Sequence, residues 1–140
     1  SEAELAALVA NGAVEHWGWR RDMAQVLAEA SLVSLPSTYG EGVPKSLIEA
    51  AAAGRAIVTT DMPGCRDIVR DGENGWLVPP RDVDALTDAL RQAIADPARR
   101  AAYGARGRAI VEGGFTARHV ISATLDVYRE LGQDEARANT

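Results

Sequence analysis

Short apolar segments alternate along this chain with longer segments of helical periodicity. That alternation constrains the fold more than any other feature. Strands separated by helices pair in parallel, and a parallel sheet is covered by helices on its faces. The strand segments are 13–17 (AVEHW), 32–35 (LVSL), 56–60 (AIVTT) and 76–78 (WLV), and three of them are rich in β-branched residues. The fold class expected is therefore α/β, a Rossmann-like parallel sheet with helices on both faces.

Helix starts can be read between the strands. The first ten residues (SEAELAALVA) look helical. Asp22 can cap a helix whose Met23, Val26, Leu27 and Ala30 share a face, with Gln25 placed as a capping-box partner. Asp82 precedes Val83, Leu86, Leu90 and Ile94 at helical spacing, and Asp96 followed by Pro97 opens another helix. Near the end Thr116 can cap, Phe115 and Val120 can form a hydrophobic staple, and Ile121, Leu125, Tyr128 and Leu131 give an apolar stripe. DGENG (71–75) contains two turn dipeptides and reads as an exposed loop. With 140 residues, no internal repeat and no long linker, one domain over 1–131 and a frayed tail over 132–140 are expected.

Charge and cysteine content exclude several function classes. Fifteen basic against twenty acidic residues give −5, and the basic residues are scattered without interleaved aromatics, so no nucleic-acid groove is expected. A single cysteine, Cys65, rules out an internal disulfide and fits a reducing compartment. No apolar run approaches the roughly 20 residues of a membrane span. The expected location is the cytoplasm, at the inner face of the membrane if the full-length protein acts there. His16 and His119 have no metal-ligand spacing with each other or with Cys65, and no Ser/His/Asp or Cys/His grouping is readable. Neither metal nor cofactor is expected, and both histidines read as structural.

The segment from Leu32 to Gly54 (LVSLPSTYGEGVPKSLIEAAAAG) carries the chemistry. Pro36 ends a strand, Gly40 and Gly42 make a loop, Pro44 suits a first helical turn, and Gly54 stops the helix. The loop opens at the carboxyl edge of the sheet, where parallel α/β folds bind ligands, and the helix start offers unpaired amides suited to phosphate. Gly42 lets an anion approach the backbone. Two glutamates, Glu41 and Glu49, cannot hold phosphate but can accept hydrogen bonds from hydroxyls. Eight helical residues span about 12 Å, comparable to the distance from one sugar to another across a diphosphate. Exposed glutamates are commonly mere surface residues. Here, however, Glu49 sits among Ile48, Ala50, Ala51, Ala52 and Ala53, and an alanine-rich helix is usually packed closely on its neighbours.

The stretch PSTYGEGVPKSLIEAAAAGRAIVTTDMPGCRDIVRDGENGWLVPPRD resembles the donor-binding region of the retaining GT-B glycosyltransferases of family 4, also known as glycosyl transferases group 1. Glu41 and Glu49 meet its E(x7)E motif. They are followed in order by TTD, PGCRDIV, DGENGWLVPP and a terminal FTARH helix with a late tyrosine, so the resemblance spans roughly residues 14–131. The PGCRDIV version resembles enzymes that build bacterial surface polysaccharides. The resemblance implies the C-terminal half of a GT-B fold, lacking its first elements and the N-terminal acceptor domain. It implies a catalytic place for Glu41 near the transferred sugar and ribose binding by Glu49. It also implies that Gly42, Val43 and Pro44 line the diphosphate turn, with Gly18, Trp19 and Arg20 in the loop that contacts the base. Trp17 and Trp19 remain open to a second reading as core residues.

The function implied is hexosyl transfer from a nucleotide-diphosphate sugar to a saccharide or lipid-linked acceptor, held by the absent N-terminal domain. The chain alone would then be inactive, because half of the cleft is elsewhere. Two other classes stay open: a non-catalytic nucleotide-binding or protein-docking module, and a nucleotide-sugar epimerase of the same fold. The C-terminal stripe would face the absent domain, or mediate self-association of this chain.

Overall fold

The computed structural model describes residues 1–40 and 42–138. Its centre is a three-stranded parallel sheet in the order β1 (Val33–Leu35), β2 (Ile57–Thr60), β3 (Gly75–Val78). Val33 pairs with Ile57, Ile57 with Gly75, and Thr60 with Val78. Each strand lies within a residue of its expected position. The helices are α1 (Glu2–Ala10), α2 (Met23–Glu29), α3 (Lys45–Ala52), α4 (Cys65–Ile68), α5 (Val83–Ala95), α6 (Pro97–Gly114) and α7 (Ala117–Ala138).

All four residues of β2 are buried, and its alternation builds two cores. Ile57 faces Leu27, Leu47, Ala50, Ala51, Cys65, Ile68 and Val111, a layer drawn from α2, α3, α4 and α6. Its neighbour Val58 faces Trp76, Val78, Ala89, Ala93 and Tyr103, a layer drawn from β3, α5 and α6. Helices therefore cover both faces, and α6 contributes to each core. The two following threonines are also buried, and their hydroxyls tie β2 to its neighbour: Thr59 Oγ1 donates to Leu35 O at 2.6 Å, and Thr60 Oγ1 donates to Ser37 O.

The helix ends follow the sequence in part. Asp82 accepts from Ala85 N at 2.9 Å, Asp96 from Arg99 N at 2.8 Å, and Thr116 Oγ1 from His119 N at 3.3 Å. Asp22 does not cap α2; its carboxylate is taken by Arg20, and Gln25 donates to Glu29 instead of reaching back. Phe115 packs on the first core, but Val120 is exposed, so no staple closes α7. The tail segment from 132 continues α7 as far as Ala138; residues 139 and 140 lie outside the described residues.

Two expectations are corrected. Segment 13–17 is not a strand: it pairs with none of the three strands, its Ala13 and Val14 amides turn back to Leu8 O at the end of α1, and all five residues are exposed, so no face of it is buried as a sheet strand requires. DGENG is not simply an exposed loop, because Asn74 within it is only 1% exposed. The stripe Ile121, Leu125, Tyr128 and Leu131 is exposed on α7, and α1 buries no residue. Among the described residues no helix is long and apolar enough to cross a membrane.

Candidate functional site

The crossover from β1 to β2 forms the site. β1 ends at Leu35, and Thr38, Tyr39, Gly40 and Gly42 beyond it are exposed. Pro44, itself buried, is the N-cap of α3 at φ −63° and ψ 122°, one residue earlier than the first-turn position expected for it. A proline cap brings no side-chain acceptor, and the opening amides of a helix have no intrahelical one. Leu47 anchors the helix in the first core. Its far end closes as a Schellman motif: Gly54 N donates to Ala51 O and Arg55 N to Ala50 O, each at 2.9 Å, with Gly54 at φ +69°. The unsatisfied start of α3 thus faces the carboxyl edge of the sheet, as the sequence predicts. Glu41 lies outside the described residues.

Glu49 sits on the face of α3 that looks toward α2. Its side chain is 39% exposed and pairs with Lys45 Nζ at 3.3 Å. Lysine four residues before glutamate is the weaker order of a helical pair, and an exposed pair contributes at most about 1 kcal/mol. The carboxylate is therefore held loosely enough to exchange Lys45 for ligand hydroxyls. It lines a groove of about 410 Å³ whose other walls are Met23, Ala24, Leu27 and Ala28 of α2, and Ala52, Ala53 and Arg55 of α3 and its exit. Arg55 also fixes the two helix ends together, donating to Ala30 O and Ala53 O, each at 3.0 Å. Met23 belongs to the apolar face expected of α2, whereas nothing in the sequence separated Arg55 from other surface residues; only the packing of α2 against α3 reveals it.

The loop before α2 holds the remaining candidates. Gly18 takes φ +62°, which turns the chain between two indoles. Trp19 is 78% exposed, with the Arg21 guanidinium 4.9 Å from its ring centre. Trp17 is also exposed, under Arg20 at 5.2 Å, so neither indole is a core residue. Arg20 Nε donates to Asp22 Oδ1 at 2.8 Å, and Arg20 Nη2 bonds the other oxygen, a two-point clamp at the mouth of α2. The structure thus joins Gly42, Val43, Pro44 and Glu49 in one loop and helix. Gly18, Trp19 and Arg20 lead into α2, the opposite wall of the Glu49 groove. His16 and His119 are exposed, and His119 Nδ1 lies 2.7 Å from the Thr116 hydroxyl. Among the described residues no cluster of three or more His, Cys, Asp or Glu could hold a metal ion.

The Arg20 hydrogen bonds hold the Asp22 carboxyl at about 2, against an ordinary 3.8, and the same pairing raises the Arg20 guanidinium. Because the folded value is depressed, the pairing's contribution is complete above the ordinary carboxylate value and disappears as pH falls through about 2. A carbon-detected NMR titration should give Asp22 a midpoint near 2, and Arg20→Ala should return it toward 3.8. An unchanged midpoint in that variant would remove the clamp.

Residues 1–96 match the family model described as glycosyl transferases group 1. The chain belongs to this family. Relatives include an exopolysaccharide phosphotransferase of Streptomyces coelicolor, 38% identical over 121 residues, covering 84% of this chain and 12% of that protein. A D-inositol 3-phosphate glycosyltransferase of Nocardioides is 37% identical over 112 residues, covering 79% of this chain and 24% of the relative. Among solved structures, sucrose-phosphate synthase from Thermosynechococcus elongatus superposes with a TM-score of 0.72 at 31% identity, over 78% of this chain and 27% of its own. Anabaena HepE in complex with UDP superposes with a TM-score of 0.80 at 24% identity, over 94% of this chain and 35% of its own, and shows the shared GT-B fold. The group 1 chain described here therefore spans about a third or less of these proteins.

Proposed function

We propose that this chain is the donor-binding part of a retaining hexosyltransferase, taking a nucleotide-diphosphate sugar and acting in polysaccharide or glycolipid synthesis. The observation that carries the proposal is the α3 crossover. A loop with uncapped helix amides opens at the carboxyl edge of a parallel sheet, and a loosely paired Glu49 lies one turn further along. In this reading the Gly42 and Val43 amides and the start of α3 take up charge that builds on the leaving diphosphate. Pro44 shapes that turn, Glu49 accepts from the ribose hydroxyls, and Trp19 and Arg20 meet the base. Glu41 orients the transferred sugar, a role taken from the family motif. That no metal takes part is carried over from the family resemblance, with the helix amides supplying the charge stabilisation. HepE structures that hold UDP and UDP-glucose support a nucleotide-sugar donor.

The acceptor, saccharide or lipid-linked, belongs to a further domain that the exposed α7 stripe would meet. Relatives named phosphatidyl-myo-inositol mannosyltransferase and lipopolysaccharide core glycosyltransferase support that class. Sedimentation of this chain separates domain docking from self-association through α7: a monomer at high concentration removes the latter. A second reading, a nucleotide-binding module without transfer activity, draws on the first relative, in which this segment is a small share of a protein named for phosphotransfer.

The test is calorimetric titration with UDP, GDP and ADP. One nucleotide should bind saturably, and Glu49→Ala should weaken it about tenfold, the equivalent of one charged hydrogen bond. Equal affinity in that variant would remove Glu49 from the ribose. Transfer by an upstream-extended protein would decide between enzyme and module.

A further inference from the structure

The outer flank of β3 carries a second cavity that the nucleotide reading does not use. It encloses about 350 Å³, within the range of small-molecule sites, and shares no lining residue with the Glu49 groove. Its walls include Trp76 of β3, Asp71 in the preceding turn, Asp88 and Gln92 of α5, and Arg99 of α6.

We propose that this cavity binds a neutral saccharide, at a site separate from the donor loop. Trp76 is 5% exposed, and its indole Nε1–H meets no acceptor among the described residues. The ring is fixed against Tyr103, with centroids 4.7 Å apart, and lies under the Arg99 guanidinium at 5.4 Å. Arg99 spends its Nε on the Tyr103 hydroxyl at 2.8 Å and pairs with no carboxylate among the described residues, so its terminal nitrogens are available as donors. Acceptors stand beside these donors. Asp71 uses Oδ1 to hold Leu77 N at 3.0 Å, and Asp88 makes only an exposed pair with Arg91 at 3.2 Å. Gln92 supplies one group of each kind.

This mixture selects the ligand class. Two carboxylates repel a phosphate or another anion, and the polar walls reject a hydrocarbon. Hydroxyl groups both donate and accept, so a polyhydroxylated neutral ring satisfies Asp71, Asp88, Gln92 and Arg99 together, beside the Trp76 ring.

The test follows the Trp76 indole of the native chain, whose signal is assigned by elimination from the W17F and W19F spectra, Trp17, Trp19 and Trp76 being the three tryptophans. Its indole N–H resonance is followed by NMR during titration with glucose, mannose and maltose. A saturable shift is expected with at least one sugar, unchanged by saturating UDP or by Glu49→Ala. Gln92→Ala and Asp88→Ala, both on α5, should each weaken it about tenfold with the far-UV spectrum preserved. No shift up to the solubility of all three sugars overturns the proposal. So does a shift that UDP abolishes, or one that both α5 variants leave intact.

Discussion

Gly104→Ala is expected to destabilise the fold by about 3 kcal/mol or more, whereas Gly107→Ala, one turn further along the same helix, should change it by less than about 1 kcal/mol. A Cβ on Gly104 would stand 2.0 Å from Gly54 O and 2.8 Å from Gly54 C. Both are backbone atoms of the turn that closes α3, so no rotamer change relieves the overlap and α6 must retreat from α3. The cost falls on both cores, because α6 contributes Val111 to one and Tyr103 to the other. A Cβ on Gly107 meets Ala51 Cβ and Asn74 Nδ2 at 3.6 Å each, ordinary contact distances. There the helix-propensity gain of about 1 kcal/mol over glycine offsets any adjustment. Urea denaturation of the two variants decides the matter. Equal midpoints would mean that α6 does not approach the Gly54 turn as closely as described. Gly54 also ends the helix that carries Glu49, so under the donor-site proposal Gly104→Ala should weaken nucleotide binding as well, without touching the nucleotide.

Much of this architecture was legible in the sequence, because it depends on local chemistry. Leu32, Ala56 and Trp76 head apolar runs that do become strands or adjoin them, and Asp82, Asp96 and Thr116 cap helices because a short acceptor followed by an amphipathic run leaves little choice. The start and end of α3 were equally readable from Pro44 and Gly54. Features that require a partner from elsewhere in the chain were not readable. AVEHW has strand composition, but its first amides are taken by Leu8 O and it stays exposed, pairing with no strand among the described residues. Asp22 has the identity of a cap but sits two residues from Arg20, and the ionic hydrogen bond wins over the helix amides. Gly104 reads in sequence as a poor helix former, and only the α3 turn against it shows why alanine would not fit. Trp76, with its unpaired indole, and Arg55, which ties α2 to α3, are visible only through tertiary contacts.

Asn74→Asp provides the second large effect, with a pH signature that mere loss of packing would lack. Asn74 lies between α4 and β3, and its Oδ1 accepts from Arg70 N at 2.7 Å. Its Nδ2 donates to Ile68 O at 2.8 Å, and Arg106 reaches over from α6 to bond Glu73 O at 3.0 Å. The side chain thus replaces a turn's missing backbone bonds in a buried place, Asn74 being 1% exposed. An aspartate keeps the acceptor but sets a second oxygen against Ile68 O, and as a carboxylate it brings a buried charge as well. The loss at neutral pH should be about 3 kcal/mol, one orphaned buried carbonyl plus the unfavourable charge. Burial and the facing carbonyl raise the folded pKa of this aspartate above its unfolded value of about 3.9. A raised folded value favours the protonated form, which can donate to Ile68 O. Stability relative to the native protein should therefore be largely recovered below the unfolded pKa and lost as pH rises through the folded one. Asn74→Ala has no proton to gain, so its deficit should stay level over the same range. Parallel pH profiles for the two variants would show that Nδ2 does not carry the bond to Ile68, and that the turn into β3 is held by backbone contacts alone.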